Sequence, residues 1–316
     1  MNQLLKQKIS LVVPMFNESA VIDHFLSQIQ LVMNSLKENY EIICVNDGSD
    51  DDTLTRLIEH QKNDDKIIVI DLTRNFGKEV ALSAGIDHAN GDAVIPIDAD
   101  LQDPPSAIKE MISKWRQGFD VVVAVRKDRS VDTFLKRNTA ALFYSLMERL
   151  GEIKIIPNAG DFRLMDKKVV EALKKMPERT RFMKGMFAWV GYKTAVIYII
   201  RQKRVAGSSR WVYWKLWNFA VEGFVSFSTL PLKIWTYIGL LTSFFAMVYM
   251  TWIVFRTLIF GIDAPGYASL MVAILFFSGL NMLSLGIVGE YVSRIFIEVK
   301  QRPLYLVKNI YVRNKK

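Results

Sequence analysis

Two carboxylates spaced two positions apart could hold a divalent cation on a diphosphate. Asp98 and Asp100 close an apolar run that begins near residue 93, and Gln102 follows two positions later. Short apolar runs of this kind predict buried strands, and open α/β sheets place ligands at the carboxyl ends of such strands. Carboxylate and amide oxygens are ligands that hard cations accept. The pattern predicts a metal–diphosphate site; the alternative is a carboxylate pair that only caps the next helix.

Three further strand ends carry groups that could bind a nucleotide. Asp47 ends one apolar run and precedes Gly48, which permits a tight turn. This carboxylate could accept hydrogen bonds from a base or a ribose, or it could form an Asx turn. The backbone of residues 13–18 could hold a nucleobase. Arg74 and Lys78 lie near a glycine at the third strand's exit, where they could face the donor phosphate or the sugar.

Several other chemistries find no support in the sequence. No Gly-x-Gly-x-x-Gly follows the first predicted strand and no Gly-Lys-Ser/Thr loop occurs, which argues against a dehydrogenase or a P-loop enzyme. The histidines His24, His60 and His88 lack the spacing of metal ligands. A lone cysteine, Cys44, excludes an internal disulfide. The net charge of +9 suits anionic lipid surfaces, phosphorylated substrates or nucleic acid.

The elements that must position these residues alternate strand and helix over residues 9–126. Strands made almost entirely of apolar residues are typical of sheets covered on both faces, so the alternation predicts an α/β fold with a mostly parallel, doubly wound sheet. Asn17 is predicted to begin the first helix, and Pro104-Pro105 the fourth. A helix near 132–149 and then a strand, two helices and a strand over 160–200 are predicted to follow. The first five strands are predicted at 9–14, 40–46, 66–71, 93–98 and 120–126, and the helices between them near 18–36, 52–62, 77–90 and 104–117.

Two long segments, 234–255 and 264–289, contain no Asp, Glu, Lys or Arg. A hydrocarbon core of about 30 Å is crossed by about 20 apolar residues in a helix, so each segment is long enough for one span. Basic residues crowd both outer flanks, whereas the short connector contributes only Arg256. The positive-inside rule therefore predicts an antiparallel hairpin with both termini cytoplasmic. The alternative is a buried hairpin in a soluble core.

Tryptophans and phenylalanines mix with cations just before this hairpin. That composition predicts interfacial amphipathic helices on the cytoplasmic leaflet, although an aromatic stripe can also be ordinary core. The chain is thus divided into a sheet domain at 1–205, interfacial helices at 206–230, a transmembrane hairpin at 231–291 and a cytoplasmic tail at 292–316. The two spans are predicted at about 234–256 and 267–289.

Together these motifs resemble a family 2 glycosyltransferase with the GT-A fold. The segments NAGDFRLM (158–165) and RVAGSSR (204–210), with the two-helix C-terminus, narrow the resemblance to polyprenyl-phosphate glycosyltransferases. This group includes bactoprenol glucosyltransferases and dolichyl-phosphate mannose synthases. The resemblance spans nearly the whole chain.

On the donor side, the resemblance implies a role for each strand-end residue. Asp98 and Asp100 would hold Mg²⁺ or Mn²⁺ on the diphosphate of a nucleotide sugar, with Gln102 assisting. Asp47 would bind the uridine side of the donor. The other implied donor-binding residues are Pro14, Glu18, Arg74 and Lys78.

On the acceptor side, the resemblance implies that Asp161, with Asp100, is catalytic. Asp161 would act as a base or would orient the acceptor; orientation is preferred, because an ionised phosphate oxygen has no proton to lose. Arginine is suited to bidentate phosphate recognition. For Arg204 and Arg210, the alternative is a general attraction to anionic headgroups. The implied ligands of the acceptor phosphate are Arg126, Arg163, Arg204, Ser209 and Arg210.

The implied reaction is an inverting transfer of a single hexose, glucose from UDP-glucose, to undecaprenyl phosphate at a bacterial inner membrane. Single transfer is favoured because the Gln-x-x-Arg-Trp motif of processive synthases is absent; Gly207 stands where its Gln would be. The alternatives are another nucleotide sugar (GlcNAc, mannose or an aminoarabinose derivative) or a non-catalytic membrane scaffold that binds sugar nucleotides. The expected partners are further copies of the chain, and a downstream flippase and glycosyltransferase for a surface glycan, with no nucleic acid.

Overall fold

Strands and helices alternate through the first part of the protein. The computed structural model describes residues 7–127, 156–157, 159–176, 178–179, 181–200, 202, 230–261 and 266–313. The elements up to residue 126 are β1 (Lys8–Met15), α1 (Ile22–Leu36), β2 (Asn39–Asn46), α2 (Thr53–Asn63), β3 (Ile67–Leu72), α3 (Lys78–His88), β4 (Ala93–Pro96), α4 (Ile108–Arg116) and β5 (Val121–Arg126).

The described residues after position 126 add three strands, two short helices and two long ones. A short 3-10 turn, Pro105–Ala107, leads into α4, so the proline pair does open that helix as predicted. The later elements are β6 (Ala159–Asp166), α5 (Lys167–Lys174), α6 (Met183–Trp189), β7 (Thr194–Ile199), α7 (Leu230–Phe260), α8 (Tyr267–Lys300) and β8 (Val307–Tyr311).

Within the described residues, one sheet of eight strands, in the order β7-β5-β6-β4-β1-β2-β3-β8, organises the domain. The pairs β1·β2, β1·β4, β2·β3 and β5·β7 are parallel. The strands β6 and β8 run antiparallel to their neighbours. The predicted α/β fold with a mostly parallel sheet is therefore confirmed.

Helices cover both faces of the sheet because successive residues of a strand point to opposite sides. In β1, Leu11 and Val13 pack into the core beneath α1 and α4, whereas Val12 packs into the core beneath α3, α5 and α6. Gly85 allows α3 to lie close to the strand, since a Cβ added there would stand 2.3 Å from a methyl of Val12. Burial on both faces explains why the strands contain so few polar residues.

Helix α1 begins at Ile22, later than the sequence predicted. Asn17, predicted to begin the helix, instead adopts a left-handed backbone with φ of 56°. Its backbone N–H donates to Ser49 Oγ at 3.0 Å, and its side-chain oxygen accepts from the backbone N–H of Asp50 at 2.9 Å. These long-range bonds tie the loop after β1 to the loop after β2, and no local pattern could show them.

The two long helices form the C-terminal hairpin. Both α7 and α8 contain stretches long and apolar enough to cross a membrane, Ile234–Phe260 and Leu270–Lys300, and those stretches are not buried against the rest of the protein. α7 extends beyond its predicted span at both ends, whereas α8 begins at the predicted residue and extends beyond the span only at its C-terminal end. The predicted helix near 132–149 and the predicted interfacial helices at 206–230 lie outside the described residues.

A strand after the hairpin returns the chain to the sheet. β8 pairs antiparallel with β3, with Tyr311 opposite Val69 and Asn309 opposite Asp71. The connection is reinforced where the backbone N–H of Thr73 donates to the carbonyl of Leu306 at 3.0 Å. The sequence analysis placed only a tail here, because five residues with two polar members resemble a basic terminus. The pairing brings the end of α8 back to the sheet domain.

Candidate active site

The loop after β4 carries the carboxylate pair. Asp98 follows the strand by two residues and its side chain is partly exposed. Leu101 is buried at 5% exposure and adopts a φ of 54°, which bulky residues rarely do. The backbone N–H of Gln102 donates to Asp100 Oδ1 at 3.1 Å. Strained backbone held by packing is common at functional sites, and here it turns the loop at the carboxylates.

Lys78 links Asp98 to a second carboxylate from a distant part of the chain. Its ammonium nitrogen lies 2.7 Å from Asp98 Oδ1, 2.8 Å from Asp98 Oδ2 and 2.9 Å from Asp161 Oδ2. Lys78 is the first residue of α3, Asp98 follows β4, and Asp161 lies in β6. Three predicted site residues, 83 positions apart at the extremes, therefore meet at one cation.

Sheet topology explains why Asp161 lies beside Asp98. β6 runs antiparallel to β4, with Asp166 opposite Ala93 and Met165 opposite Val94. As β6 continues back from Met165 and β4 continues forward, the two chains approach the same edge of the sheet. Asp161 and Asp98 therefore reach the same end, where Lys78 enters from α3.

Opposing charges surround Asp161. Burial alone would raise the pKa of Asp161, but the ammonium groups of Lys78 and Lys184 outweigh burial and lower it to about 2. Burial would lower the pKa of Lys78, yet Asp161 and Asp98 raise it above its usual value. Glu79 behaves differently, since burial and the charge of Asp161 raise its pKa to about 7. Near neutral pH, Asp161 is a carboxylate, whereas Glu79 keeps its proton to a higher pH than a free glutamate does.

Arg163 lies two residues along β6 from Asp161, beneath a helix. It is 5% exposed, its guanidinium lies 4.0 Å from the ring centre of Phe187, and one Nη donates to the carbonyl of Gly160 at 2.6 Å. Burial lowers the pKa of Arg163 to about 10, and its Nε is buried without a hydrogen-bond partner among the described residues. Arg163 and Lys184 line a cavity of about 250 Å³ between α6 and strands β5–β7. Arg163 thus faces a pocket rather than the open surface.

Asp47 organises the loop that delivers Lys78. One carboxylate oxygen accepts from the backbone N–H of Phe76 at 2.7 Å, and the other accepts from that of Gly77 at 2.9 Å. Burial raises the pKa of Asp47, and these two bonds partly offset that rise. Gly48 is required beside it, with φ of 63° and the backbone of Arg74 within contact distance. The structure gives Asp47 a role in loop architecture, and its contact with a uridine stays a prediction.

The remaining donor-side residues lie around the same strand ends. Pro14 lies near the end of β1 and is opposite Val45 of β2. Glu18 donates its backbone N–H to Thr53 Oγ1 at 2.9 Å. Arg74 lies 4.0 Å from the ring centre of Phe76 and donates to the carbonyl of Asn75. These residues share the loop region of β1, β2 and β3 with Asp47, as parallel strands require.

The acceptor-side predictions divide into described and undescribed residues. Arg126 ends β5, next to β6, and its guanidinium passes close to Gly160. Val125, the residue before Arg126, is opposite Ala159 of β6, two residues before Asp161. Arg204, Ser209 and Arg210 lie outside the described residues.

Two residues of this cluster, Glu79 and Lys184, were missed by the sequence analysis. The Glu79 carboxylate accepts from the backbone N–H of Met183, which begins α6, and Lys184 is the next residue. Glu79 stands beside Lys78 in the sequence, and that adjacency was the only local signal. Lys184 belongs to no motif, so only tertiary contact reveals it.

The residues after β4 fit a divalent cation that is shared with a diphosphate. In the parts of the chain that the structure describes, no group of three or more His, Cys, Asp or Glu could enclose a metal alone. Asp98, Asp100 and Gln102 supply two carboxylates and an amide, and Mg²⁺ commonly takes its other ligands from phosphate and water. The ammonium of Lys78 on Asp98 shows that this position already attracts a cation.

Comparisons with known proteins agree with this architecture. The Glycosyl transferase family 2 model matches residues 10–174, and the GtrB C-terminal hairpin model matches residues 230–295. The first match covers β1 to α5 of the sheet domain, and the second covers most of the apolar hairpin. The chain belongs to glycosyl transferase family 2, and its sheet domain is GT-A-like.

Relatives that match nearly the whole chain are found within this family. The chain is 54% identical over 304 residues to a glycosyltransferase of Synechocystis sp., covering 96% of each. It is 49% identical over 302 residues to the bactoprenol glucosyl transferase of Shigella phage SfV, covering 96% of this chain and 98% of that protein. A crystal structure of glucosyl-3-phosphoglycerate synthase from Mycobacterium tuberculosis with Mn²⁺, UDP and phosphoglyceric acid is 19% identical, with a TM-score of 0.48, and covers 68% of this chain and 75% of that one.

Proposed function

We propose that the protein transfers one glucose from UDP-glucose to undecaprenyl phosphate, the lipid also called bactoprenol. The observation that carries this proposal is the identity of 49% to a bactoprenol glucosyl transferase across 96% of the chain. The meeting of Asp98 and Asp161 at Lys78 supports it, because donor and acceptor chemistry require groups from both strand ends. The hairpin supports a lipid acceptor.

The donor would bind across the ends of β1, β2 and β4. Asp98, Asp100 and Gln102 would hold Mg²⁺ or Mn²⁺, which would neutralise the charge that develops on the departing UDP. The residues Pro14, Glu18, Asp47, Arg74 and Lys78 would surround the nucleotide and the sugar. The loop Arg74–Gly77 is positioned by Asp47, so Asp47 would act on the donor at least partly through that loop.

The acceptor phosphate would approach Asp161 from the β5 side. Its second pKa is about 6, so the phosphate is already a nucleophile near neutral pH and needs orientation more than deprotonation. Asp161 is held ionised by Lys78 and Lys184. Arg126, Arg163, Arg204, Ser209 and Arg210 would bind the phosphate. Attack from the face opposite UDP would invert the anomeric centre.

The hairpin would anchor the enzyme with its catalytic domain on the cytoplasmic side of a bacterial inner membrane. β8 returns the chain from α8 to the sheet domain, so the outer end of α8 and the active-site domain belong on one side. Basic residues on both flanks of the hairpin support the cytoplasmic side. Interfacial helices at 206–230, association into a homo-oligomer, and delivery of the product to a flippase and a further glycosyltransferase are parts of the same proposal.

The test is transfer of label from a panel of radiolabelled UDP-sugars to undecaprenyl phosphate by the full chain in detergent. Asp100→Ala removes one proposed metal ligand, and Asp23→Ala, on the exposed face of α1, removes a carboxylate far from the site. We expect a labelled lipid with UDP-glucose and Mg²⁺ or Mn²⁺, retained in Asp23→Ala and lost in Asp100→Ala. Transfer of label from a different UDP-sugar would show that this sugar, and not glucose, is the one transferred. The absence of a labelled lipid with every UDP-sugar tested would refute the proposal.

A further inference from the structure

Both oxygens of the Asp98 carboxylate are engaged by one ammonium group. Lys78 Nζ lies 2.7 Å and 2.8 Å from them, and the same nitrogen lies 2.9 Å from Asp161 Oδ2. An ammonium group has three hydrogens to donate, so these contacts use its full capacity. The side chain of Lys78 as a whole remains 46% exposed.

A divalent cation on Asp98 would compete with Lys78 for these two oxygens. Two cations on one carboxylate would lie within a few ångströms of each other, where like charges repel strongly in a partly buried site. Asp161 offers a second anchor for the ammonium. Its Oδ1 is buried without a hydrogen-bond partner among the described residues.

We propose that Lys78 is the resident counter-ion that the metal displaces from Asp98, and that Lys78 then stays on Asp161 as its positioning residue. This inference rests on the proposed function. It makes Lys78 a group that exchanges between the donor side and the acceptor side of the site. Loading of the metal-bound donor would then leave the ammonium wholly to Asp161, and so fix that carboxylate when the donor is in place.

Removal of the Lys78 ammonium should strengthen metal binding and slow turnover. Without Lys78, the metal no longer competes with an ammonium on Asp98, so Mn²⁺ should bind more tightly. Asp161 meanwhile loses the group that orients it, so kcat should fall. A lysine that only contacted the donor would give a different result, since its loss would raise the KM for UDP-glucose and leave Mn²⁺ binding alone.

The test measures Mn²⁺ binding to the full chain in detergent, at a fixed saturating concentration of UDP and against a protein-free blank, by the electron paramagnetic resonance signal of free Mn²⁺. For Lys78→Met we expect binding at least about fivefold tighter than in the wild type, the factor expected for loss of one partly exposed ion pair. Lys168→Gln is the matched control, because it removes the same charge from the Asp120 ion pair outside the site. Lys78→Arg keeps the charge and should keep wild-type binding.

Turnover assays complete the test. For Lys78→Met we expect a fall in kcat of about tenfold or more, larger than any rise in the KM for UDP-glucose. Thermal melting checks folding, and if Lys78→Met melts early, Lys78→Gln removes the same charge and should give the same tightening. Unchanged Mn²⁺ affinity in the folded variant, or a rise in KM alone, refutes the inference while leaving the proposed function intact. If the Asp98→Asn variant binds Mn²⁺ as tightly as the wild type does, the metal site itself is refuted.

Discussion

Gly48 is the position where a single methyl group should separate the two loops that form the donor side. It has a φ of 63°, and a Cβ built there would stand 2.4 Å from the carbonyl carbon of Arg74 and 2.5 Å from the nitrogen of Asn75. Ordinary contact begins at 3.4 Å, so Gly48→Ala must push the loop after β3 away by about 1 Å. Both atoms belong to the backbone, which cannot rotate aside as a side chain can.

The displaced loop carries the two hydrogen bonds that Asp47 accepts. They measure 2.7 Å to Phe76 and 2.9 Å to Gly77, and a shift of about 1 Å along them would break both. Bonds to a charged group contribute about 1.5–3 kcal/mol each. The left-handed backbone of an alanine at this position would destabilise the folded state by a further amount of about 1 kcal/mol. We expect Gly48→Ala to lower the free energy of unfolding by about 3 kcal/mol or more.

A matched control separates the backbone strain from the clash. Gly118 has a φ of 89° and nothing within 4 Å of an added Cβ, so Gly118→Ala carries the strain alone, at about 1–2 kcal/mol. The assay is thermal melting of both variants in detergent, with the KM for UDP-glucose measured beside it. Gly48→Ala should melt well below Gly118→Ala and show a raised KM. If the two variants melt together with wild-type KM, the loop contact does not support the site and the reasoning is wrong.

Three further outcomes follow from buried and long-range contacts. The pKa of Glu79 is raised from 4.5 to about 7, so ionisation of Glu79 destabilises the fold as pH rises through that window. Compared with the wild type, Glu79→Gln should raise the free energy of unfolding by up to about 3 kcal/mol at pH 8 and by almost nothing at pH 4. Melting curves recorded across pH measure this difference. A gain that is equal at both pH values would contradict the assigned shift. Burial raises the pKa of Cys44 to about 12, so a thiol reagent should label it only as denaturant unfolds the protein, and rapid labelling of the native state would contradict its burial. Tyr305 donates its hydroxyl to Asp87 at 3.0 Å, and Tyr305→Phe should cost about 1 kcal/mol by melting; an unchanged melting temperature would mean that this bond does not hold the chain after α8 to α3.

The positions of Asp98, Asp100 and Gln102 were predictable because their signal is local. All three follow β4 within six positions, and a parallel sheet places such strand ends at one edge; their binding of a metal stays a prediction. The alternating strand and helix pattern likewise specified the α/β class, since strands buried on both faces must be apolar. The two uncharged segments predicted the hairpin from length and composition alone.

Other parts of the site depend on contacts between distant positions. The local pattern around Asn17 predicts the start of a helix, yet the hydrogen bonds of Asn17 to Ser49 and Asp50 place it in a loop instead. Lys184 carries no motif, and it lies near Asp161 only because Glu79 binds the first backbone N–H of α6. The members of such pairs are too far apart in the sequence for any local pattern to include both.

The sequence by itself determined the fold class, the strand-end carboxylates and the apolar hairpin, because each depends on the order of residues within one element. Only the tertiary structure decided that Lys78 bridges Asp98 and Asp161, and that β8 crosses back to pair with β3. Both depend on which strands are neighbours in the sheet. Strand order is set by how whole faces pack, so it is a property of the assembled domain rather than of any segment.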